Sequence, residues 1–342
     1  MLEIKSHRGT YSVDFTPVEH AEIPKGSVAI VDEKVYQIYK DRFLDKFESF
    51  LIIEAKEDNK ELAHCIEVMN KLLSMDSPVK KNTTLVAIGG GITQDITSFI
   101  ASILYRGIDW CFIPTTLLAQ ADSCIGSKTS INHAGVKNVV GSFYPPKKVW
   151  CDDRFLTTLP KNDIKSGIGE MLHYFMIDNS PALRTPFTMK YMKSLTRESL
   201  RIKKAMVEID EFDQKERRVF NYGHTFGHAL EAVSNYSLPH GLAVTRGMHL
   251  ANYIAYRLGY IDDVVLQKLQ KCIEFNLPNY LIKNVEGYVS KLMKDKKNTD
   301  SNLVCILPRD IGRYGVTTIS DIDNLKVIIQ DYFDECKQEQ QI

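Results

Sequence analysis

Four short apolar runs, SVAIVD (27–32), FLIIEA (50–55), TTLVAI (83–88) and WCFIP (110–114), alternate with helical stretches through the first half of the chain. Each run is strand-length and reads as buried on both faces. Between them, residues 60–75 carry a helical period, and residues 95–107 read as a helix ended by Gly107. Strands separated by helices pair through crossovers, so this alternation demands a parallel sheet covered by helices. VWCDD (149–153) supplies one more strand.

After about residue 154 the pattern changes to long amphipathic segments, with helices expected at 163–178, 196–211, 222–235, 241–258 and 261–275. A strand pair, 303–308 and 314–319, is joined by the turn RDIGR. The expected organisation is α/β plus all-α, with a nucleotide-binding domain at 1–153 and a mainly helical domain at 154–342.

Lys plus Arg (43) equals Asp plus Glu (43), so no global field draws the chain to nucleic acid or to acidic membranes. Anions must be met by locally placed cations. Seven scattered cysteines with no C-x-x-C pair suggest reduced thiols in the cytoplasm. The first residues lack the pattern of a secretion signal, and no apolar run approaches the ~18 residues of a membrane span.

Three stretches carry chemistry. Gly89-Gly90-Gly91 follows an expected strand and precedes a helix containing Asp95. Bare backbone there suits a pyrophosphate at a helix N-terminus, although a plain strand-to-helix turn fits the glycines equally. Thr115, Thr116 and Asp122 follow the next strand and are placed to flank a dinucleotide. Lys128, Lys137 and Asn138 sit in what reads as a polar loop, either a phosphate grip or a solvated surface. In NYGHTFGHALE (221–231), His224 and His228 lie four residues apart, on one helix face. With Glu170, His173 and His240 they form a candidate set for a borderline divalent ion. Thr225 stands where zinc proteases carry glutamate, so that class does not fit.

Taken in order, GGGITQD, YRGIDWCFIPTTLLAQADSCIGSKTSIN, KNVVGSFYPPKKVWCD, RRVFNYGHTFGHALEA, HGLAVTRGM and KDKKNTDSNLVCILPRDIG resemble the 3-dehydroquinate synthase family of sugar phosphate cyclases. The resemblance implies a Rossmann-like parallel-sheet NAD domain followed by a mainly helical metal and substrate domain. It implies bound NAD and a divalent ion, Zn²⁺ or Co²⁺, and a phosphorylated keto-sugar acid as substrate. Carried over by position, Glu170, His224 and His240 are the implied metal ligands. Glu57, Lys60, Gly90, Gly91, Ile92, Asp95, Thr115, Thr116, Leu118, Asp122, Ser123, Lys128, Lys137, Thr158 and Leu159 are implied to hold NAD. Lys128, Asn138, Asn221, His228, Lys296 and Lys297 are implied for the substrate phosphate, and Lys203 with Arg217 for its carboxylate. A homodimer is implied, in which Arg106 reaches the partner's phosphate site. The family usually has lysine where this chain has His173, and Gln94 and Ser127 also depart from its pattern. His173 leaves open a weaker hydrogen bond to a substrate hydroxyl, a different substrate, reduced activity, or direct metal contact. A cyclase of another sugar phosphate and a metal-dependent polyol dehydrogenase are the competing readings.

Overall fold

The computed structural model describes residues 1–294 and 302–339; Lys296 and Lys297 lie outside the described residues. The chain forms two compact units, residues 1–160 with 203–212 and residues 161–202 with 213–342. It therefore passes between units at three points, where the sequence suggests a single cut after residue 153.

The strands of the first unit are β1 (Leu2–Ser6), β2 (Gly9–Phe15), β3 (Val28–Asp32), β4 (Ser49–Ile53), β5 (Leu85–Gly89), β6 (Trp110–Pro114), β7 (Lys128–His133), β8 (Val136–Phe143) and β9 (Lys148–Cys151). Seven of them form one sheet in the order β1-β2-β9-β6-β5-β3-β4, parallel throughout except for the β1–β2 hairpin. The helices α1 (Glu33–Phe43), α2 (Leu62–Leu73) and α3 (Gly91–Ile103) make the crossovers. On one face, Ala29, Val31, Val86, Ile88, Cys111 and Ile113 pack with Tyr39, Phe43, Trp150 and Phe155. From β3 the chain goes outward to β4 and then returns to β5 on the other side. The order reverses there, and the carboxyl ends of strands at such a point are where α/β sheets bind ligands.

Three expectations change. β4 is an edge strand whose Phe50 and Ile52 are 36% and 38% exposed, so only the central runs are buried on both faces. α3 begins at Gly91, four residues before Asp95, and the chain leaves it through Tyr105, Arg106 and Gly107, all at positive φ. Residues 128–143 are not a loop but the β7–β8 hairpin. Its two-residue turn, Ala134-Gly135, has positive φ at both positions (52° and 75°), as a tight primed turn needs.

The second unit contains α4 (Lys161–Asp178), most of α5 (Met189–Ile209), α6 (His224–Val233), α7 (His240–Arg257), α8 (Asp263–Ile273), α9 (Val285–Met293), the hairpin β10 (Leu303–Asp310) with β11 (Arg313–Ile319), and α10 (Ile322–Glu339). α4, α6 and α7 touch backbone to backbone at glycines. A Cβ on Gly169 would lie 2.0 Å from Gly241 O, one on Gly241 would lie 1.8 Å from Ser166 O, and one on Gly247 would lie 2.1 Å from Gly223 O. Only glycine permits these approaches. Among the described residues no helix is long and apolar enough to cross a membrane. None of the seven cysteines is in a disulfide.

Candidate metal and dinucleotide sites

In the second unit, α4 contributes Glu170 from its middle, α6 begins at His224, and α7 begins at His240. Each ligand candidate adjoins a glycine of the close helix contacts, Gly169, Gly223 or Gly241, so the spacing of the backbones fixes the spacing of the side chains. Glu170 Oε1 lies 3.5 Å from His224 Nε2 and 3.0 Å from His240 Nε2, and one ligand atom from each residue falls within 4.8 Å of the others.

The tautomers follow from the outer partners. His224 Nδ1 faces the Tyr222 carbonyl at 3.3 Å, and His240 Nδ1 faces Glu231 Oε2 at 3.1 Å. Both are acceptors, so each ring donates through Nδ1 and turns the lone pair of Nε2 toward Glu170. Glu170 is 1% exposed, and its Oε1 has no hydrogen-bond partner. Two imidazole lone pairs and a buried carboxylate oxygen facing one another fit a borderline divalent cation with room for substrate.

The charges of the three groups depend on one another. Burial alone would push the Glu170 carboxyl up, but the surrounding His224, His173 and His240 outweigh it and hold it well below the usual carboxylate range. Burial pushes His224 down and prevails over the pull of Glu170. Burial also acts downward on His240, yet the adjacent Glu170 and Glu231 carboxylates lift it well above the ordinary imidazole value.

A second trio, His228, Glu231 and His240, also gathers within ligand range. Glu231 is already spent on His240 Nδ1, and His228 is exposed, so the buried Glu170 trio is the better ion site. Thus the two histidines of one helix separate: His224 joins Glu170, while the ring of His228 lies 5.6 Å from both His224 and His240 and opens to solvent. Asn221 donates to Arg218 O, and Arg217 is 8% exposed. Among the described residues His173 belongs to neither trio.

Glu231 is a residue the sequence reading missed. It lies seven residues after His224, two helical turns along one face, which is the available signal. Replacing it as Glu231→Gln keeps the shape and removes the charge that orients His240. The expected result is zinc affinity lower by about 10–100-fold, read by competition with a chromophoric chelator.

In the first unit, Gly90 caps α3 with no side-chain cap, leaving the first N–H groups of the helix to a ligand. A Cβ on Gly90 would lie 2.9 Å from Thr116 Cγ2, so any larger residue would push the Thr116 side chain aside. Bare amides beside Thr115 and Thr116 fit a pyrophosphate. Lys60, 6% exposed, reaches Asp95 at 2.6 Å and Asn138 Oδ1 at 2.7 Å. Burial raises the Asp95 carboxyl, with Lys60 opposing it. Glu57 lies 3.3 Å from Lys137 and accepts from Asn132 at 2.9 Å; burial pushes its carboxyl up, but Asn132, Lys60 and Lys137 bring it below the usual value. The β7–β8 hairpin therefore places Asn138 against Lys60.

A single π-helical turn, Ala119–Ser123, presents Asp122 and Ser123. Ser123 donates to Gln94 Oε1 at 2.6 Å and Gln94 donates back to Ser123 O at 2.7 Å, which is what the departure at Gln94 accomplishes. Lys203 donates to Asp122 O at 2.8 Å and forms an ion pair with Asp122 Oδ1, also at 2.8 Å. Thr158 Oγ1 meets Tyr39 OH at 2.6 Å, beside Leu159. Ile92 and Leu118 open the helical turns after Gly91 and Leu117, and Lys128 and Arg106 are exposed.

Known proteins match the chain over most of its length. Residues 50–166 match the family model described as 3-dehydroquinate synthase N-terminal, and residues 167–298 match its C-terminal counterpart. A 3-dehydroquinate synthase of Dictyoglomus thermophilum is 36% identical over 95% of this chain and 90% of that relative. Among solved structures, 2-deoxy-scyllo-inosose synthase complexed with carbaglucose-6-phosphate, NAD⁺ and Co²⁺ superposes with a TM-score of 0.87 at 23% identity, over 96% of this chain and 99% of that one. The 2-epi-5-epi-valiolone synthase of Streptomyces hygroscopicus, with NAD⁺ and Zn²⁺ bound, gives 0.81 at 21%, over 96% and 97%.

Proposed function

The chain belongs to the 3-dehydroquinate synthase family, and from that premise we propose that it is an NAD- and metal-dependent cyclase. In this reading it converts 3-deoxy-arabino-heptulosonate 7-phosphate to 3-dehydroquinate and phosphate, a carbon–oxygen lyase reaction with no net redox change. The observation that carries the reading is the convergence of Glu170 with the inward Nε2 atoms of His224 and His240.

When bound, NAD takes up and returns a hydride, and zinc or cobalt acidifies the substrate hydroxyls it touches. The chain's own residues do the holding. Glu170, His224 and His240 supply one anionic and two neutral donors, which leaves the ion a net positive charge for the substrate oxygens. Gly90, Gly91, Thr115 and Thr116 would offer backbone N–H and hydroxyl donors to the pyrophosphate, and the buried Lys60 holds Asp95 and Asn138 beside them. His228 with Asn221 serves the substrate phosphate, and Lys203 and Arg217 are each candidates for carboxylate recognition. The departing phosphate can take the proton of the adjacent C–H itself, so fixed cations matter more than a general base. We place the protein as a cytoplasmic homodimer acting in aromatic amino acid biosynthesis by the shikimate pathway.

The test is phosphate release from the heptulosonate phosphate, run beside glucose 6-phosphate and sedoheptulose 7-phosphate, with reduced nicotinamide followed by absorbance. Phosphate from the first substrate with no lasting reduced cofactor is expected. Preference for another sugar phosphate would move the chain to a specialised cyclase, and accumulation of reduced cofactor without phosphate would make it a dehydrogenase.

A further inference from the structure

Glu170 has two carboxylate oxygens, and only Oε1 faces His224 and His240. The other, Oε2, lies 3.3 Å from His173 Nδ1. The same Nδ1 lies 2.8 Å from the main-chain carbonyl of Glu170. A carbonyl only accepts, so Nδ1 carries the proton; it donates to the Glu170 carbonyl, and its positive N–H end lies 3.3 Å from Oε2. The spacing makes this possible: His173 is one helical turn past Glu170, and helical side chains lean back toward the N-terminus.

The ring cannot turn away from this task. It is 1% exposed and packed by Tyr174 at 4.0 Å, His224 at 4.9 Å and Phe220 at 5.7 Å between centroids. Its other nitrogen, Nε2, is buried and has no hydrogen-bond partner. A residue that contacts substrate needs a polar atom that substrate can reach. His173 offers none.

We propose that His173 is a positioning residue for Glu170: its Nδ1–H anchors the outer carboxylate oxygen so that the inner one is held toward the metal, and it does not touch substrate. The proposal rests on Glu170, His224 and His240 being the ligands. It assigns to the departure from the family's lysine a role in the geometry of the ion.

The experiment is cobalt titration of the metal-free protein, reading the visible Co²⁺ bands and the affinity by chelator competition. Wild type, Glu170→Ala, His173→Phe and His173→Asn are compared, with kcat and KM for the cyclised substrate measured alongside. His173→Phe fills the aromatic surroundings without a donor. It is expected to lower cobalt affinity by about 10–100-fold and alter the bands, with kcat reduced and KM little changed. His173→Asn restores a donor where Nδ1 was and should recover most of the affinity and the wild-type bands. Wild-type affinity and bands in His173→Phe would overturn the proposal, as would a raised KM with kcat preserved. Equal cobalt binding by wild type and Glu170→Ala would instead remove the ligand assignment beneath it.

Discussion

Glu170→Ala is expected to abolish turnover and to remove most of the stabilisation that zinc gives the folded chain. Zinc sites built of four protein ligands hold the ion by about 10–16 kcal/mol, so one ligand is worth roughly 3 kcal/mol, a factor of about a hundred in affinity. Glu170 should cost more than that average. It is the anionic member of the trio, it is buried, and both imidazoles converge on it. A ligand that binds only the folded state raises stability by RT ln(1 + [L]/Kd), so the rise in melting temperature on adding zinc should be large in wild type and nearly absent in the variant. The metal-free proteins separate the ligand role from charge. The Glu170 carboxyl is held below its ordinary value, so its contribution is present above the unfolded carboxyl range and fades as pH falls through the folded value. His240 runs the other way: lifted by Glu170 and Glu231, its contribution is full below the ordinary imidazole value and lost as pH rises through the folded one. Without Glu170 much of that lift disappears, so metal-free Glu170→Ala should lose stability most between those two limits. A zinc-dependent melting shift equal to wild type would show that the ion sits elsewhere.

How far the chain could be read beforehand divides along physical lines. The central strands were legible because burial on both faces leaves an unbroken apolar run, as in β3, β5 and β6. β4 misled because Phe50 and Ile52 are apolar yet lie on the outer edge, and sequence does not say which strand is last. β1 and β2, short and half polar, gave too little contrast to be seen, and α9 and α10 likewise. At the sites, the identities of Glu170, His224 and His240 came from ordered motifs, whereas their supports did not. Glu231 was visible only as a spacing. Residues 126–138 read as a loop from their polar composition; a hairpin turn with two positive φ values sets Asn138 beside Lys60, a neighbour that no local pattern names. His173 stood out as an unusual residue, but its work depends on an aromatic packing that spans α4 and the turn before α6. The glycines were least legible. Gly169, Gly227, Gly241 and Gly247 need to be glycine because of what another helix brings close to them, and no local pattern names that partner.

Those glycines carry the second large effect. Gly241→Ala should destabilise the second unit by about 3 kcal/mol and weaken zinc binding as well, although alanine normally favours a helix. The added Cβ would lie 1.8 Å from Ser166 O, a main-chain atom that cannot rotate aside, so α4 and α7 must separate. Separation also strains the hydrogen bond from Gly241 N to Ser166 Oγ, 3.0 Å long and buried. His240 is the neighbouring residue and Glu170 lies on the facing helix, so the same displacement opens the 3.0 Å approach between them. Ligand sets tolerate only about 0.5 Å of such misplacement. Gly169→Ala strikes the contact from the other side, its Cβ 2.0 Å from Gly241 O. Once one substitution has parted the helices, the second has less left to disturb. The double variant should therefore cost clearly less than the sum of the singles, a coupling measurable by chemical denaturation. Gly315→Ala is the control: nothing lies within 4 Å of its Cβ position, and its stability should stay within about 0.5 kcal/mol of wild type. If Gly241→Ala bound zinc as tightly as Gly315→Ala does, the close helix contact would not be what sets the ligand geometry.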